Sequence, residues 1–223
     1  MKKIKNTEHT FVGIAKIGLP FILIGIFFTA ALLFIGEFAI GFISLFLTLF
    51  LCWFFRDPER CAGIVSEDTI VSPADGKIIF ADFVETTNFY NGRCFKISIF
   101  MSIFNVHVNR AVCAGKITKI EYNQGKFLKA NLDKASLENE YNAVYLKTES
   151  GRDVCMVQIA GLIARRIVCY VKQGFNIDTS ARFGMICFGS RVDLYLPADM
   201  QITGIASRGY NVSAGKTILG KLK

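Results

Sequence analysis

Histidine is nearly missing from this chain, with two in 223 residues. His9 precedes the first long apolar run, so imidazole chemistry in the rest of the chain rests on His107. The seven cysteines, at 52, 61, 94, 113, 155, 169 and 187, are odd in number, form no CxxC pair and share no metal-ligand spacing with a histidine. That distribution argues against a zinc centre and against a disulfide framework, and no metal is expected. Several thiols lie inside apolar runs, Cys94 in RCFKISIF and Cys169 in RRIVCY, where they read as small core hydrophobes. Repeats of 20–50 residues and low-complexity tracts are absent. So are Arg/Lys-rich blocks and RNA-binding aromatic signatures, which leaves a nucleic-acid partner without support.

Charge is what residues 11–55 nearly lack. From Phe11 to Gly36 the only charged residue is Lys16, and from Phe38 to Phe55 there is none, with Glu37 between the two runs. About 20 apolar residues cross a bilayer as a helix, whereas a secretory signal has a core of only about 7–15. The doubled run predicts a transmembrane helical hairpin over about 11–36 and 38–55, turning at Gly36-Glu37, with Pro20 near the first helix's entry. Lys2, Lys3, Lys5 and Lys16 on one flank and Arg56 and Arg60 on the other place both flanks on the cytoplasmic side of the cell (inner) membrane. Of the formal net charge of +8, residues 1–55 carry four Lys and two Glu, so +6 falls on the remainder. Tethered beside a membrane, that excess suits an anionic lipid surface.

Residues 56–223 form one expected domain, entered through the polar linker RDPER. IIFADFV, CFKISIF, KITKIEY, AVYLKTE, DVCMVQIA, RIVCYV, RVDLYL and QITGIAS are short runs rich in β-branched and aromatic residues, separated by ADG, NGR, ESGR, KQG and SRG. The fold expected is mostly β, of sandwich or barrel type. Residues 126–141 interrupt the pattern and read as a mobile loop with at most a short helix.

Three places in the chain carry candidate chemistry. Gly189-Ser190 lies between two strand-like runs in RFGMICFGSRVDLYLP. A serine hydroxyl attacks the preceding carbonyl when the backbone is held in a strained turn, and glycine resists such a turn least, although Gly-Ser is also a common loop dipeptide. His107 lies in FMSIFNVHVNR, where alternation places Asn105, His107 and Asn109 on one face and Phe104, Val106 and Val108 on the other. A lone histidine is often a structural group. Asp75, in VSPADGKI between Pro73 and Gly76, is presented by a tight turn or simply bonds its own backbone.

Taken in order, RDPER, SPADGKI, FMSIFNVHVNR, GKF at 125–127, ENEYN at 138–142, QIAGLIARRIV at 158–168 and RFGMICFGSRVDLYLP resemble the short, membrane-hairpin phosphatidylserine decarboxylases over essentially the whole chain. Val112 stands where that family usually has proline, and Tyr141 where arginine is common, so position 141 receives no substrate role. The resemblance implies a lyase of phospholipid biosynthesis, made as a zymogen. Ser190 would attack the Gly189 carbonyl, and autocatalytic cleavage would give chains 1–189 and 190–223, held together as a heterodimer. Ser190 would become a covalent pyruvoyl group, the pyruvate cofactor, forming a Schiff base with phosphatidylserine and releasing carbon dioxide and phosphatidylethanolamine. His107 would be general acid and base, oriented by Asp75. Arg165, Arg166, Arg182 and Arg191 are candidates for the substrate's phosphodiester or carboxylate. Partners implied are phosphatidylserine and membrane lipid, with a higher oligomer left open. Two other readings stay open at this point: a membrane-anchored serine hydrolase, although the G-x-S-x-G elbow is absent, and a non-enzymatic barrel of the biotinyl or lipoyl carrier type.

Overall fold

The computed structural model describes residues 9–60, 63, 66, 68–125, 139–161, 167–187 and 189–222. The chain divides into two compact units, residues 6–59 and residues 60–223 joined by 1–5.

In the smaller unit the first helix begins later than its apolar run. Thr10–Phe11 pairs with Ile14–Ala15 in a minimal antiparallel ladder, and the chain turns through Val12 and Gly13, both at positive φ. A 3-10 turn, Lys16–Gly18, leads into the helix Leu19–Phe34, with Pro20 in its first turn where its missing N–H costs nothing. Gly36 at φ +85 reverses the chain, and Phe38–Phe54 returns as a second helix. RDPER is not a free linker at its start: Arg56 bridges Ile14, the Asp57 N–H donates to the Gly13 carbonyl at 2.6 Å, and the Thr10 hydroxyl bonds the Asp57 carboxylate.

The helix pair buries two threonines beside Ile22, Gly41 and Phe54, and its outer face is apolar. Thr29 and Thr48 are buried, the Thr29 hydroxyl meeting Ser44 at 2.8 Å and Thr48 at 3.3 Å. A Cβ on Gly25 would come within 2.7 Å of the Thr48 hydroxyl, so glycine lets the helices approach. Phe21, Leu23, Phe27, Phe34, Phe42 and Phe46 point outward, each at least half exposed. Lys16–Phe34 is long and apolar enough to cross a membrane, while Phe38–Phe54 has 17 residues, about 26 Å at 1.5 Å each.

The larger unit is mostly β. Its main sheet runs in the order Asn176–Ile177, Gly115–Asn123, Tyr141–Lys147, Asp153–Ala160, Ser190–Pro197, Cys94–Met101, Gly76–Val84, Asn211–Val212, every neighbour antiparallel. Two three-stranded sheets accompany it: Ile167–Cys169, Arg182–Ile186 and Val108–Arg110, and Gln201–Ile202, Ile218–Lys221 and Thr69–Val71. Six of the eight runs read as strands lie largely in strands here, whereas RIVCYV is strand only at Ile167–Cys169 and QITGIAS only at Gln201–Ile202, after which the chain turns. Residues 126–138 of the expected loop lie outside the described residues.

The strand Ser190–Pro197 is central, laddered on one side to Cys94–Met101 and on the other to Asp153–Ala160. Side chains alternate along it. Val192, Leu194 and Leu196 enter the main core with Ile97, Ile99, Met101, Met156 and Phe183, while Tyr195 joins a second cluster with Cys94, Cys155, Val157 and Phe89 on the opposite face. Each fully buried aliphatic contributes about 1.5–3 kcal/mol, so the register is firmly set, and a slip of one residue would move Ser190 to the wrong face. The six described cysteines carry no disulfide. Burial pushes the Cys113 thiol up to about 12 and also raises Cys155, as expected of core thiols.

Candidate active site

Gly189 adopts φ +54. A residue with a Cβ loses about 1–2 kcal/mol in this left-handed region. Nothing lies within 4 Å of where that Cβ would be, so conformation rather than space selects glycine. Ser190 begins the central strand and is wholly buried on the core side, opposite Met101 on one neighbour and Ala160 on the other. Its Oγ donates to the Met101 thioether at 3.5 Å. A thioether is a weak acceptor. A buried hydroxyl so poorly satisfied retains part of a desolvation cost of about 1–3 kcal/mol, which favours any reaction that gives the oxygen a better bond.

The same sulfur receives the Asn109 side-chain amide at 3.6 Å, and Asn109 belongs to the strand that follows His107. Asn109 Oδ1 accepts from Gln158 Nε2 at 2.8 Å, and Gln158 Oε1 accepts from Asn142 Nδ2 at 2.9 Å. Asn142, Gln158, Asn109 and Ser190 are all buried, so a chain of side-chain amides runs through the core to the cleavage candidate. Next to it, Asn139 Nδ2 donates to the carbonyl of Ala160, the register partner of Ser190, at 2.7 Å.

His107 is wholly buried, and its carbonyl accepts the Ile186 N–H at 3.3 Å. It therefore stands across the ladder from the strand that delivers Gly189 three residues later. The expected alternation from Phe104 does not form one strand. Cys94–Met101 ends at Met101, and Asn105 Oδ1 accepts from both the N–H and the hydroxyl of Ser102, turning the chain before Val108–Arg110 begins. Phe104 is accordingly exposed, whereas Val106, His107, Val108 and Asn109 are all buried.

Asp75 also lies beside this strand, since the Arg110 N–H donates to the Pro73 carbonyl at 2.9 Å. Its carboxylate is engaged elsewhere. Arg60 grips both oxygens with two guanidinium nitrogens, Nη2 reaching Oδ2 at 2.9 Å, and the Ala214 N–H donates to Oδ1 at 2.8 Å. Arg60 Nη1 also donates to the Ala214 carbonyl at 3.3 Å. Sequence reasoning missed Arg60 as a site residue, and no periodicity encodes it. A guanidinium near a carboxylate turn was the available signal.

Two of the four candidate arginines, Arg165 and Arg166, lie outside the described residues. Arg182 is wholly buried and paired in register with Arg110. Arg191 follows Ser190 but faces the other side of the strand, where its Nη2 donates to Asp193 Oδ2 at 3.0 Å and its Nε stands in an ion pair with Oδ1 at 2.8 Å. The structure thus gathers Ser190, the His107 segment and the Asp75 turn around one region, with Arg182 in the strand laddered to Val108–Arg110, whereas Arg191 faces the other side of the Ser190 strand.

A family model described as phosphatidylserine decarboxylase matches residues 47–220. Three similar curated proteins are phosphatidylserine decarboxylase proenzymes. The one from Syntrophus aciditrophicus is 47% identical over 208 residues, covering 93% of this chain and 96% of the relative. That from Desulfotalea psychrophila is 46% identical, covering 95% and 97%. That from Paraburkholderia phymatum is 45% identical, covering 97% and 100%. The chain belongs to the phosphatidylserine decarboxylase family. By length it matches the short bacterial members. In this phosphatidylserine decarboxylase family member the only part outside the matched region of any size is residues 1–46, most of the apolar helix pair.

Proposed function

We propose that the chain is a self-cleaving precursor whose product converts phosphatidylserine to phosphatidylethanolamine and carbon dioxide. The observation that carries this reading is Gly189 at φ +54 directly before a buried, weakly bonded Ser190 at the head of the central strand. Ser190 Oγ, giving its proton to His107, attacks the Gly189 carbonyl carbon, and the Gly189–Ser190 amide bond is replaced by an ester. Loss of the Ser190 α-proton then breaks the Cβ–O bond, leaving a carboxylate on Gly189 and dehydroalanine at residue 190. Addition of water and loss of ammonia leave a pyruvoyl group at that position.

The residues present fit such a group: it would occupy a buried strand end facing Met101, Ala160 and the Asn109–Gln158–Asn142 amides. When formed, it supplies a carbonyl that takes up the substrate amine and accepts the electron pair released as carbon dioxide departs. His107 holds the proton and returns it to the substrate carbon. Asp75, held by Arg60 and Ala214, braces the turn bonded to Arg110 and so fixes the position of the strand that follows His107. The buried amides orient the reacting end, and the packed strand excludes water from it.

The helix pair is embedded in the lipid of the cytoplasmic membrane, both ends on the cytoplasmic side. Its exposed phenylalanines and leucines and its buried threonines reverse the distribution that water imposes. Basic residues flank it at Lys16, Arg56 and Arg60.

Carbonyl chemistry tests the proposal. Purified protein is expected to resolve on denaturing gels into a large and a 34-residue chain, to release carbon dioxide from phosphatidylserine, and to lose that activity to hydroxylamine. Full activity after exhaustive carbonyl blocking, or inactivation by fluorophosphonates instead, would remove the pyruvoyl mechanism.

A further inference from the structure

Ser190 lies directly opposite Met101 in the ladder of the central strand, and both are wholly buried. The Ser190 hydroxyl donates to the Met101 sulfur at 3.5 Å, and the Asn109 side-chain amide donates to the same sulfur at 3.6 Å. A thioether in a core usually serves as apolar filling. Here two donors rest on it.

The orientation of Asn109 is set from behind. Its Oδ1 accepts from Gln158 Nε2 at 2.8 Å, and Gln158 Oε1 in turn accepts from Asn142 Nδ2 at 2.9 Å. Gly184, the register partner of Asn109, closes this box, since a Cβ there would come within 2.6 Å of Gln158 Nε2 and 2.9 Å of its Oε1. Asn109 thus turns its N–H groups to the sulfur and gives its carbonyl oxygen, a much stronger acceptor, to Gln158. The acceptor left to the Ser190 hydroxyl is the weak one.

A weak acceptor suits a nucleophile. The O–H···S bond selects one rotamer of Ser190 and points its hydrogen at Met101, yet it is surrendered easily when the proton passes to a base. An oxygen acceptor would hold that proton more tightly, and a hydrocarbon would leave the hydroxyl free to turn. Misplacing a reacting group by about 1 Å costs on the order of 100-fold in rate, so orientation is the larger effect.

We infer that Met101 is a positioning residue for self-cleavage, its sulfur holding Ser190 Oγ in the attacking rotamer. The inference rests on the reading that Ser190 attacks Gly189. The sulfur takes no proton and forms no covalent bond. As the Ser190 proton passes to His107, the hydrogen bond to Met101 is given up while the Asn109 amide keeps the sulfur in place. When the Cβ–O bond breaks, Oγ departs with the Gly189 carboxylate, so this role of Met101 ends with maturation.

The test removes the sulfur atom without changing the shape of the side chain. The full-length chain is made by cell-free synthesis in a nonionic detergent with methionine, selenomethionine or norleucine, and cleavage is followed on denaturing gels. Norleucine, which has a methylene in place of sulfur, is expected to slow cleavage about tenfold, the order of what one hydrogen bond contributes to a rate. Selenomethionine, whose selenium still accepts, is expected to match methionine. Met101→Leu is expected to be slow with all three amino acids, which places the effect at position 101 among the five methionines. A role in packing alone would leave the norleucine chain as fast as the methionine chain. That result, or a Met101→Leu chain that cleaves at the parent rate or still responds to norleucine, overturns the inference. Cleavage of Ser190→Ala at the same bond would instead overturn the reading on which it rests.

Discussion

Arg60 and Asp75 form a two-pronged ion pair whose side chains are each only 11% exposed, and Ala214 bonds both members of the pair. Three stretches of chain meet there: the first residue of the β-rich unit, the SPADG turn and the C-terminal segment. Removing one member of a buried pair leaves an uncompensated charge.

Arg60→Met is therefore expected to destabilise the β-rich unit by about 3 kcal/mol, a fall in Tm on the order of 6–12 °C for a domain of this size. Differential scanning calorimetry of the full chain checks it. Arg60→Lys keeps the charge but loses the fork, and is expected to recover only part of the loss. An unchanged Tm in both variants would mean that Asp75 is held by Ala214 alone.

Ser190→Ala removes the hydroxyl while keeping the buried position and the ladder. It is expected to leave one unprocessed chain of full length without decarboxylase activity, read by intact mass. Cleavage of that variant at the same bond would exclude attack by Ser190.

Gln158 bonds both Asn109 and Asn142 in the core. Gln158→Leu fills a similar volume but leaves two buried amides without that partner, at about 1–3 kcal/mol each. Slower maturation is expected alongside lower stability, because Asn109 shares the Met101 sulfur with Ser190. A variant that loses stability but matures at the normal rate would separate the amide chain from the cleavage reaction.

Cys113 is buried and its thiol is pushed up to about 12 by desolvation. The thiol is neutral in the folded protein at pH 8 and is expected to resist iodoacetamide until the protein unfolds, as followed by peptide mass spectrometry. The sign for stability follows: the contribution of this group is fully present below its ordinary value near 9 and is lost as pH rises toward 12, since only the unfolded chain ionises in that window.

A chain starting at Arg60 keeps the Asp75 pair, and one starting at Gly63 lacks it. Both are expected to leave the membrane fraction, but the longer one is expected to self-cleave faster and melt higher. Tight membrane binding by either, after repeated washing, would mean that the β-rich unit itself inserts.

Local chemistry made much of this legible. The apolar doublet with Gly36 between its halves gave the helix pair, and the Val/Ile/Phe runs gave strands whose spacing the sheet retains. Gly189-Ser190 stood out because glycine suits the positive φ that the backbone adopts there. Contacts between distant segments were not legible. Arg60 and Asp75 are 15 residues apart and Ser190 and Met101 are 89 apart, and nothing periodic connects either pair. The error over FMSIFNVHVNR has a similar origin, since alternation looks the same whether or not Asn105 turns back to Ser102. The first helix begins at Leu19 because Val12 and Gly13 bend the chain, a local geometry that apolar composition does not report.

The strand Ser190–Pro197 holds its place through ladders on both sides, so the proposed cut at its head would open a loop without opening the sheet. Before the cut, unfolding and refolding are events within one molecule. After it, every refolding attempt would require a 34-residue fragment to find its larger half again, a second-order encounter that dilution slows and aggregation of exposed apolar strands outruns. The proposed maturation would thus fix the history of the molecule as well as its chemistry. The processed form would have only the lifetime of its first fold, and its heat inactivation is expected to depend on protein concentration where that of the uncut chain does not.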